Sequence, residues 1–486
     1  MFLTFYTTRI VLNALGIVDF GIYGVIAGLT SMFSFINAAM TTATLRYLSF
    51  SLGENDKHSL SKNFSVSINI HICIAIITLL IANIGGVYLI SNVLKLPTES
   101  IEIAKNVFFY SSITLAIGIM QVPFTSAVIA HEKMKVFAVF GVSDAFLKLF
   151  SGLAITIIEE NRLITYSQLL AVTSFITAMM YFMYVMRHIR EAKYVKAFKW
   201  DGYKDMLVFT GWNLLGNLAF LSRIQGLNIL INIFFGVAFN AAYVIAMMLQ
   251  SALIQFSTSL QQAINPQIIK NYAAANKRTT QQLMYASSKF SFLLVFMLIV
   301  PVSANLDYIL YSWLSDAPEY TKVFARYVFA IVLIDVLSNS LMTGLQATGK
   351  MRNYQLVVST VILLNLPLIY VSYSLLPVPE IALIIIALNS IIALILRLLF
   401  VRKYMGYDLK PYLIQVGTKI FVVCVIFGPL WIVVGNFNPF HGLGKLIYDI
   451  LVCVIILASI VYVFGLSANE KKYVARLIKR QKSDSN

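Results

Sequence analysis

The chain has 486 residues, of which 59% are hydrophobic and only 12% are charged, and its mean hydropathy is +0.80. Because a soluble domain carries roughly 25% charged residues, this composition excludes a soluble enzyme and a disordered or collagen-like chain. The formal net charge is +16, but the cations lie in short clusters between apolar blocks. That pattern indicates membrane topology rather than a nucleic-acid partner.

Apolar blocks long enough to cross a bilayer follow one another along the chain. A span needs about 20 apolar residues, and the blocks that meet this requirement lie near 20–45, 64–91, 104–130, 136–158, 163–186, 206–234, 239–264, 289–310, 322–347, 354–376, 380–401, 411–435 and 443–467. The N-terminal stretch 1–15 is apolar but shorter, and it lacks the features of a signal peptide. We interpret it as the outer half of a truncated first helix, so we expect about fourteen transmembrane helices.

The distribution of lysine and arginine supports this count. If the chain starts in the cytoplasm, alternate connections and the C-terminal tail carry 26 of the 37 basic residues, and the outer connections carry five. Such alternation is what the positive-inside rule requires. It predicts a cytoplasmic C-terminus.

Two short motifs recur at nearly the same separation. The segment 130–137 (AHEKMKVF) matches 347–354 (ATGKMRNY), and Gly16 to Tyr23 matches Gly236 to Tyr243. The agreement of the two offsets indicates an internal duplication. Because six helices separate the copies, the two halves have the same orientation and are related by a pseudo-two-fold axis along the membrane normal.

The predicted fold is therefore an all-α polytopic membrane protein with two six-helix lobes and two further helices. The predicted parts are an N-terminal lobe at 1–186, a basic cytoplasmic linker at 187–205, a C-terminal lobe at 206–401, helices 13 and 14 at 402–467, and a basic cytoplasmic tail at 468–486. Two related lobes around a cleft are typical of alternating-access transporters. The cysteines and histidines are scattered and no nucleotide-binding motif is present, so we expect no catalytic residues, metal or cofactor.

Charged residues inside the spans are the candidate functional residues, because an unpaired charge in the bilayer is costly. Arg9 and Arg223 lie on the first helices of the two lobes, and with Lys148 they predict a cationic cavity for an anionic substrate such as a pyrophosphate. For Arg223 and Arg9, a buried ion pair between helices is the alternative. Lys148 is four residues after Asp144, so these two side chains can also form a purely structural pair.

Asp335 is the main candidate for ion or proton coupling, with Asp144 as the second. A hydrogen-bonded packing role for Asp335 with Ser338 or Asn339 is an equally good interpretation. Arg326 and Arg397 lie near span ends, which favours snorkelling to the interface. Lys419 predicts either a contact with a lipid headgroup or snorkelling.

Five stretches resemble polysaccharide (O-antigen type) flippases of the multidrug/oligosaccharidyl-lipid/polysaccharide exporter superfamily, especially lipopolysaccharide-biosynthesis flippases of Bacteroides-type bacteria. They are TTRIVLNALGIVDFGIYGV (7–25), MFSFINAAMTTATLRYLSFSLG (32–53), LNILINIFFGVAFNAAYVIA (227–246), AINPQIIKNYAAAN (263–276) and LQATGKMRNYQ (345–355). The resemblance covers essentially the whole chain. Family members carry more of the first helix before the TTR segment.

The resemblance implies translocation of an undecaprenyl-diphosphate-linked oligosaccharide from the cytoplasmic to the periplasmic face of the inner membrane. It implies a cationic cavity for the headgroup, matching Arg9, Lys148 and Arg223, and a lipid tail running along helices 13 and 14. The implied partners are this lipid-linked anionic oligosaccharide, membrane lipid and other polysaccharide-assembly proteins, with no nucleic acid. A drug/cation antiporter of the same superfamily is the first alternative, and a membrane enzyme of polysaccharide assembly or a structural scaffold is less favoured.

Overall fold

A computed structural model describes residues 2–31, 33–92, 100–158, 161–196, 200–314, 318–436, 439–467 and 470–471. Within these ranges the protein contains helices and connecting turns, with no β-strand. The α-helices are α1 (Phe2–Ser31), α2 (Ser34–Gly53), α3 (Lys57–Asn92), α4 (Ile101–Ala130), α5 (Met134–Ile157), α6 (Arg162–His188), α7 (Trp200–Phe235), α8 (Val237–Ala273), α9 (Lys277–Ala304), α10 (Leu306–Leu314), α11 (Thr321–Thr348), α12 (Arg352–Leu363), α13 (Asn365–Leu375), α14 (Ile381–Met405), α15 (Leu409–Tyr412), α16 (Thr418–Asn436) and α17 (Gly442–Ile460). Two π-helical turns, Leu413–Gly417 and Val461–Gly465, join α15 to α16 and end α17.

Twelve segments of the described chain are long and apolar enough to cross a membrane, and a bent pair of helices, Asp19–Thr30 with Ser34–Gly53, raises the count to 13. The chain is thus a multi-span, all-helical membrane protein, as predicted. One span, Arg352–Leu375, is interrupted where α12 gives way to α13, just before Pro367. Most of the predicted tail, 468–486, lies outside the described residues.

The helices differ in how far neighbouring helices cover them. In α11, 61% of the most apolar stretch is buried in the protein, whereas the figure for α3 is 22%. The uncovered side chains are large and apolar, including Ile84 and Ile157. Because lipid chains solvate such side chains as well as a protein core does, close packing decides which helices associate.

The backbone repeats the same unusual conformations at the spacing that the motifs predict. Gly16, within α1, has φ 77° and ψ 172°, and Gly236, between α7 and α8, has φ 86° and ψ −175°. Side chains larger than hydrogen disfavour this region, so glycine is the residue that both junctions require. The two junctions occupy matching positions in the repeat. Gly16 precedes the predicted span near 20–45, and Gly236 precedes the predicted span near 239–264.

Two further turns recur in the same way. Glu132 and Gly349, which belong to the two copies of the first motif, are both left-handed, with φ 58° and 73°. In each turn the N–H of the next methionine donates back to the carbonyl of this left-handed residue. Asn55 and Ala275, at the same separation as the junction glycines, have φ 55° and 56°. This last pair has no shared sequence motif, so the duplication extends beyond the segments where the sequences still resemble each other.

The described residues form two compact units, Met1–Leu218 and Ala219–Asn486, and the division falls within α7. In the first unit, α4 is the central helix and packs against α2, α3 and α6. In the second unit, α11 has this position and packs against α8, α9 and α14. The lobe limits and linker predicted from the sequence stay a prediction.

Candidate functional site

The second unit holds an ion pair inside its spans. The guanidinium Nη2 of Arg223, on α7, lies 3.1 Å from Oδ2 of Asp335 on α11, and its Nη1 lies 3.4 Å from Oγ of Ser390 on α14. The Arg223 side chain is 9% exposed and that of Asp335 is 22% exposed. The pair therefore links three helices while the carboxylate keeps some access to its surroundings.

The helix geometry locates this pair far from the ends of its helices. At a rise of about 1.5 Å per residue, Arg223 lies about 18 Å before the end of α7, and Asp335 lies about 21 Å after the start of α11. Both distances exceed half of a hydrocarbon core of about 30 Å. Snorkelling to the nearest helix end is therefore not open to Arg223, and Asp335 supplies the counter-charge that burial requires.

Two amide side chains link α14 to the interrupted span. Asn389, next to Ser390 on α14, donates from Nδ2 to Oδ1 of Asn365 at 2.5 Å. Asn365 begins α13, and its own Nδ2 donates to the Ile362 carbonyl at 2.8 Å. A helix break leaves carbonyl groups without their usual partners, and side-chain amides satisfy them here. A side-chain hydrogen bond thus joins α14 to the break between α12 and α13.

Close packing brings the interrupted span against α7. Gly226, one turn after Arg223, faces Leu366, whose Cδ2 would lie only 2.4 Å from a Cβ at this position. Small residues permit such an approach of helices in membranes. Gly226 therefore lets the break in the span lie near the helix that carries the arginine.

The first unit holds a second intramembrane ion pair. On α5, Lys148 Nζ lies 2.7 Å from Oδ2 of Asp144, and Thr177 of α6 donates to Oδ1 of Asp144 at 3.2 Å. The i, i+4 spacing in the sequence permits this pair, and the structure contains it. Lys148 is 48% exposed, so it also retains donors for another group.

Arg9 lies on α1 with an exposed side chain and has no partner among the described residues. The contact of α1 with α5 runs through other residues, since Thr7 and Val11 face Gly152 of α5. Arg9 and Lys148 belong to the first unit and Arg223 to the second. Their convergence on one cavity stays a prediction.

The remaining predicted residues differ in their surroundings. The hydroxyl of Ser338 does not form a hydrogen bond with Asp335, because it is buried without a hydrogen bond among the described residues.

Arg397 is 8% exposed beside the Tyr354 hydroxyl, so the predicted snorkelling is wrong for this residue because α12 covers it. Arg326 is exposed. Lys419 donates to the Phe464 carbonyl at 2.8 Å.

Sequence reasoning missed one buried cation. Lys289 is not among the candidate residues identified from the sequence, but it lies within α9, is 4% exposed, and contacts Glu470 at 2.7 Å. The two residues are 181 positions apart, and no local pattern signals such a pair. The one signal in the sequence is that Lys289 is the first residue of the predicted apolar block at 289–310, so it lies next to a membrane-spanning segment.

The comparisons with known proteins concern the fold. No protein-family model and no curated protein matches the sequence. Among solved structures, an outward-facing multidrug resistance MATE family transporter of the MOP superfamily matches with a TM-score of 0.69 at 14% identity, over 83% of this chain and 92% of the other. The chain has the MATE transporter fold.

Two further MATE-fold structures match equally widely. A MOP superfamily transporter from Pyrococcus furiosus with a binding pocket of reverse polarity matches with a TM-score of 0.68 at 13% identity, over 82% of this chain and 91% of the other. A eukaryotic MATE transporter matches with a TM-score of 0.65 at 13% identity, over 84% and 95%. Sequence identities this low establish a shared fold and nothing about the substrate.

Proposed function

We propose that this protein is a flippase that moves an undecaprenyl-diphosphate-linked oligosaccharide across the bacterial inner membrane by alternating access. In this proposal the C-terminus is cytoplasmic, the chain performs no covalent chemistry, and other polysaccharide-assembly proteins supply and use the glycan. The MATE fold supports carrier function. The observation that carries the choice of substrate is the excess of positive charge inside the spans.

This excess remains after the ion pairs are taken into account. Asp335 and Asp144, the acids named as coupling sites, each contact a cation, at 3.1 and 2.7 Å. Arg9 has no partner, and the buried guanidinium of Arg397 has no carboxylate partner, among the described residues. An anionic headgroup would offset the charge of the exposed Arg9, whereas a cationic drug would meet carboxylates that are already paired. The drug/cation antiporter is thus the less favoured function.

The Arg223–Asp335 pair suggests how binding and conformational change are coupled. A diphosphate offers Arg223 a bidentate partner that competes with Asp335. Release of the carboxylate would loosen the link between α7 and α11, and protonation of Asp335 would have the same effect. Substrate binding and protonation would therefore both weaken the same contact between α7 and α11. Each would shift the equilibrium between the inward-open and outward-open conformations.

Reconstitution tests the function directly. The purified chain is placed in liposomes that contain a fluorescent undecaprenyl-diphosphate oligosaccharide, and an impermeant quencher reports how much label becomes accessible from outside. We expect the wild type to expose nearly the whole pool and protein-free liposomes to expose only the outer leaflet. An equal signal from both would contradict the proposal, and saturable ethidium transport in the same liposomes would favour the antiporter.

Charge variants test the predicted cavity residues. We expect Arg9→Gln, Lys148→Gln and Arg223→Gln each to slow translocation by about tenfold or more, since each removes a charge-assisted bond worth roughly 1.5–3 kcal/mol. Arg326→Gln, which removes an exposed arginine from α11, is the matched control and should retain the wild-type rate. Wild-type rates in all of the first three variants would remove the cationic cavity from the mechanism.

A further inference from the structure

A cavity of about 580 Å³ lies within the second unit, between the first half of α9 and the start of the span Leu409–Val433. Its lining combines two kinds of surface. The polar groups include Gln282, Gln415 and Lys419, and the apolar ones include Leu283, Phe290 and Ile414. A cavity with an ammonium, amides and an apolar wall suits an amphiphile with a charged head.

Lysines surround the end of the last span beside this cavity. Three successive carbonyl oxygens at the end of the π-helical turn Val461–Gly465 each accept a hydrogen bond from a different lysine. The bonds run from Lys471 to Val463 at 2.8 Å, from Lys419 to Phe464 at 2.8 Å and from Lys289 to Gly465 at 3.1 Å. Cations at a helix C-terminus are favourable because the carbonyl end carries partial negative charge. The lysines are therefore held in fixed positions by the backbone.

The charges around the cavity do not cancel. Glu470 neutralises Lys289, with oxygens at 2.7 and 3.0 Å from Nζ. Lys419 lines the cavity and donates one hydrogen bond within the described residues, to Phe464. An ammonium has three N–H donors, so Lys419 has donors left for an oxyanion. The positive-inside rule assigns this end of the spans to the cytoplasmic leaflet, where anionic lipids concentrate.

We propose that this cavity binds an anionic phospholipid of the cytoplasmic leaflet. Lys419 holds the phosphate, with Gln415 and Gln282 donating further hydrogen bonds to its oxygens. The first part of an acyl chain lies against Leu283 and Ile414. Basic pockets between spans on this side of a membrane are suited to such headgroups. The site concerns a bilayer lipid and does not depend on which substrate the protein carries.

Native mass spectrometry of the full-length protein in detergent tests this proposal. The protein is incubated with phosphatidylglycerol, phosphatidylcholine or inorganic phosphate, and the bound molecules are counted. We expect retention of one phosphatidylglycerol, little phosphatidylcholine, and no displacement of the lipid by phosphate. Equal retention of the two lipids would overturn the proposal, and binding of inorganic phosphate that excludes the lipid would show a free-anion site instead.

Two variants remove the site by different means. Lys419→Gln removes the charge and should lower phosphatidylglycerol retention by about tenfold, with Lys350→Gln, an exposed lysine in another basic turn, as the control. Ile414→Trp fills the cavity without touching a charge and should also displace the lipid. Its control is Ile432→Trp, at a comparably exposed position on the same span. Unchanged retention in both Lys419→Gln and Ile414→Trp would contradict the proposal.

Discussion

The guanidinium of Arg223 contacts the carboxylate of Asp335 at 3.1 Å across 112 residues of sequence. Each side chain taken alone is a costly group inside a membrane-spanning helix, and each supplies what the other needs. The sequence predicts substrate binding for Arg223 and ion coupling for Asp335. In this structure the two residues are partners.

Removal of one partner should therefore destabilise the protein more than removal of both. We expect Asp335→Leu to lower stability by about 3 kcal/mol, because it leaves Arg223 buried without a counter-charge. The double variant Arg223→Met with Asp335→Leu should recover most of this loss. Thermal unfolding of the detergent-solubilised protein, analysed as a double-mutant cycle, measures the coupling.

The same double variant separates structure from function. It should fold nearly as stably as the wild type and yet translocate the labelled lipid-linked oligosaccharide slowly, since the headgroup loses its bidentate partner. Additive losses of stability in the cycle would show that the two side chains do not interact in the membrane. Wild-type transport by the stable double variant would remove Arg223 from substrate binding.

The Lys289–Glu470 pair should make stability depend on pH. Burial raises the pKa of the Glu470 carboxyl, but hydrogen bonds from the Lys289 ammonium and the Ser467 backbone outweigh this, so the pKa lies below its ordinary value of 4.5. A lowered folded-state pKa means that the stabilisation is complete above the ordinary value and is lost as pH falls through the folded-state value.

We therefore expect Glu470→Gln to lower the unfolding temperature by a constant amount between pH 7 and about pH 5.5. The difference from the wild type should shrink below pH 4.5, as the wild type loses the same charge. Thermal scans across this range provide the measurement. Glu54→Gln, at an exposed position in the turn after α2, should show no such difference at any pH.

The junction glycines should not tolerate a side chain. Gly236→Ala should cost about 1–3 kcal/mol, because φ 86° with ψ −175° is a region that residues with a Cβ avoid. The added methyl group would meet no atom within 4 Å, so the whole cost comes from the backbone. Gly211→Ala, at an exposed position of helical backbone in α7 that is also open, should be neutral or stabilising by about 0.5–1 kcal/mol.

Two adjacent glycines of α3 should respond in opposite ways. A Cβ on Gly86 would lie 2.2 Å from the ring of Phe108 on α4, whereas a Cβ on Gly85 would meet nothing within 4 Å. Gly86→Ala should therefore destabilise the first unit by about 1–3 kcal/mol, and Gly85→Ala should not. Replacing Phe108 with leucine in the Gly86→Ala background should recover part of the loss, and thermal unfolding of the three variants would show it.

The sequence by itself determined the all-helical fold, the approximate number of spans and the internal duplication. These properties are local or periodic: a fixed hydrocarbon thickness sets the length of each apolar block, and the glycines and basic turns recur at a nearly constant separation. Of the site, sequence alone offered the ion pair between Asp144 and Lys148 as one of two interpretations, because an i, i+4 spacing on one helix brings side chains together.

Only the tertiary structure decided which distant charges meet. Arg223 with Asp335, and Lys289 with Glu470, are partners because helices far apart in the sequence approach each other. Hydropathy records whether a segment enters the membrane, but not which neighbour covers each face of it. For the same reason Arg397 was expected at the interface and is instead buried beside Tyr354. The cost of an unpaired charge ensured that these residues had partners, and packing selected which partners they were.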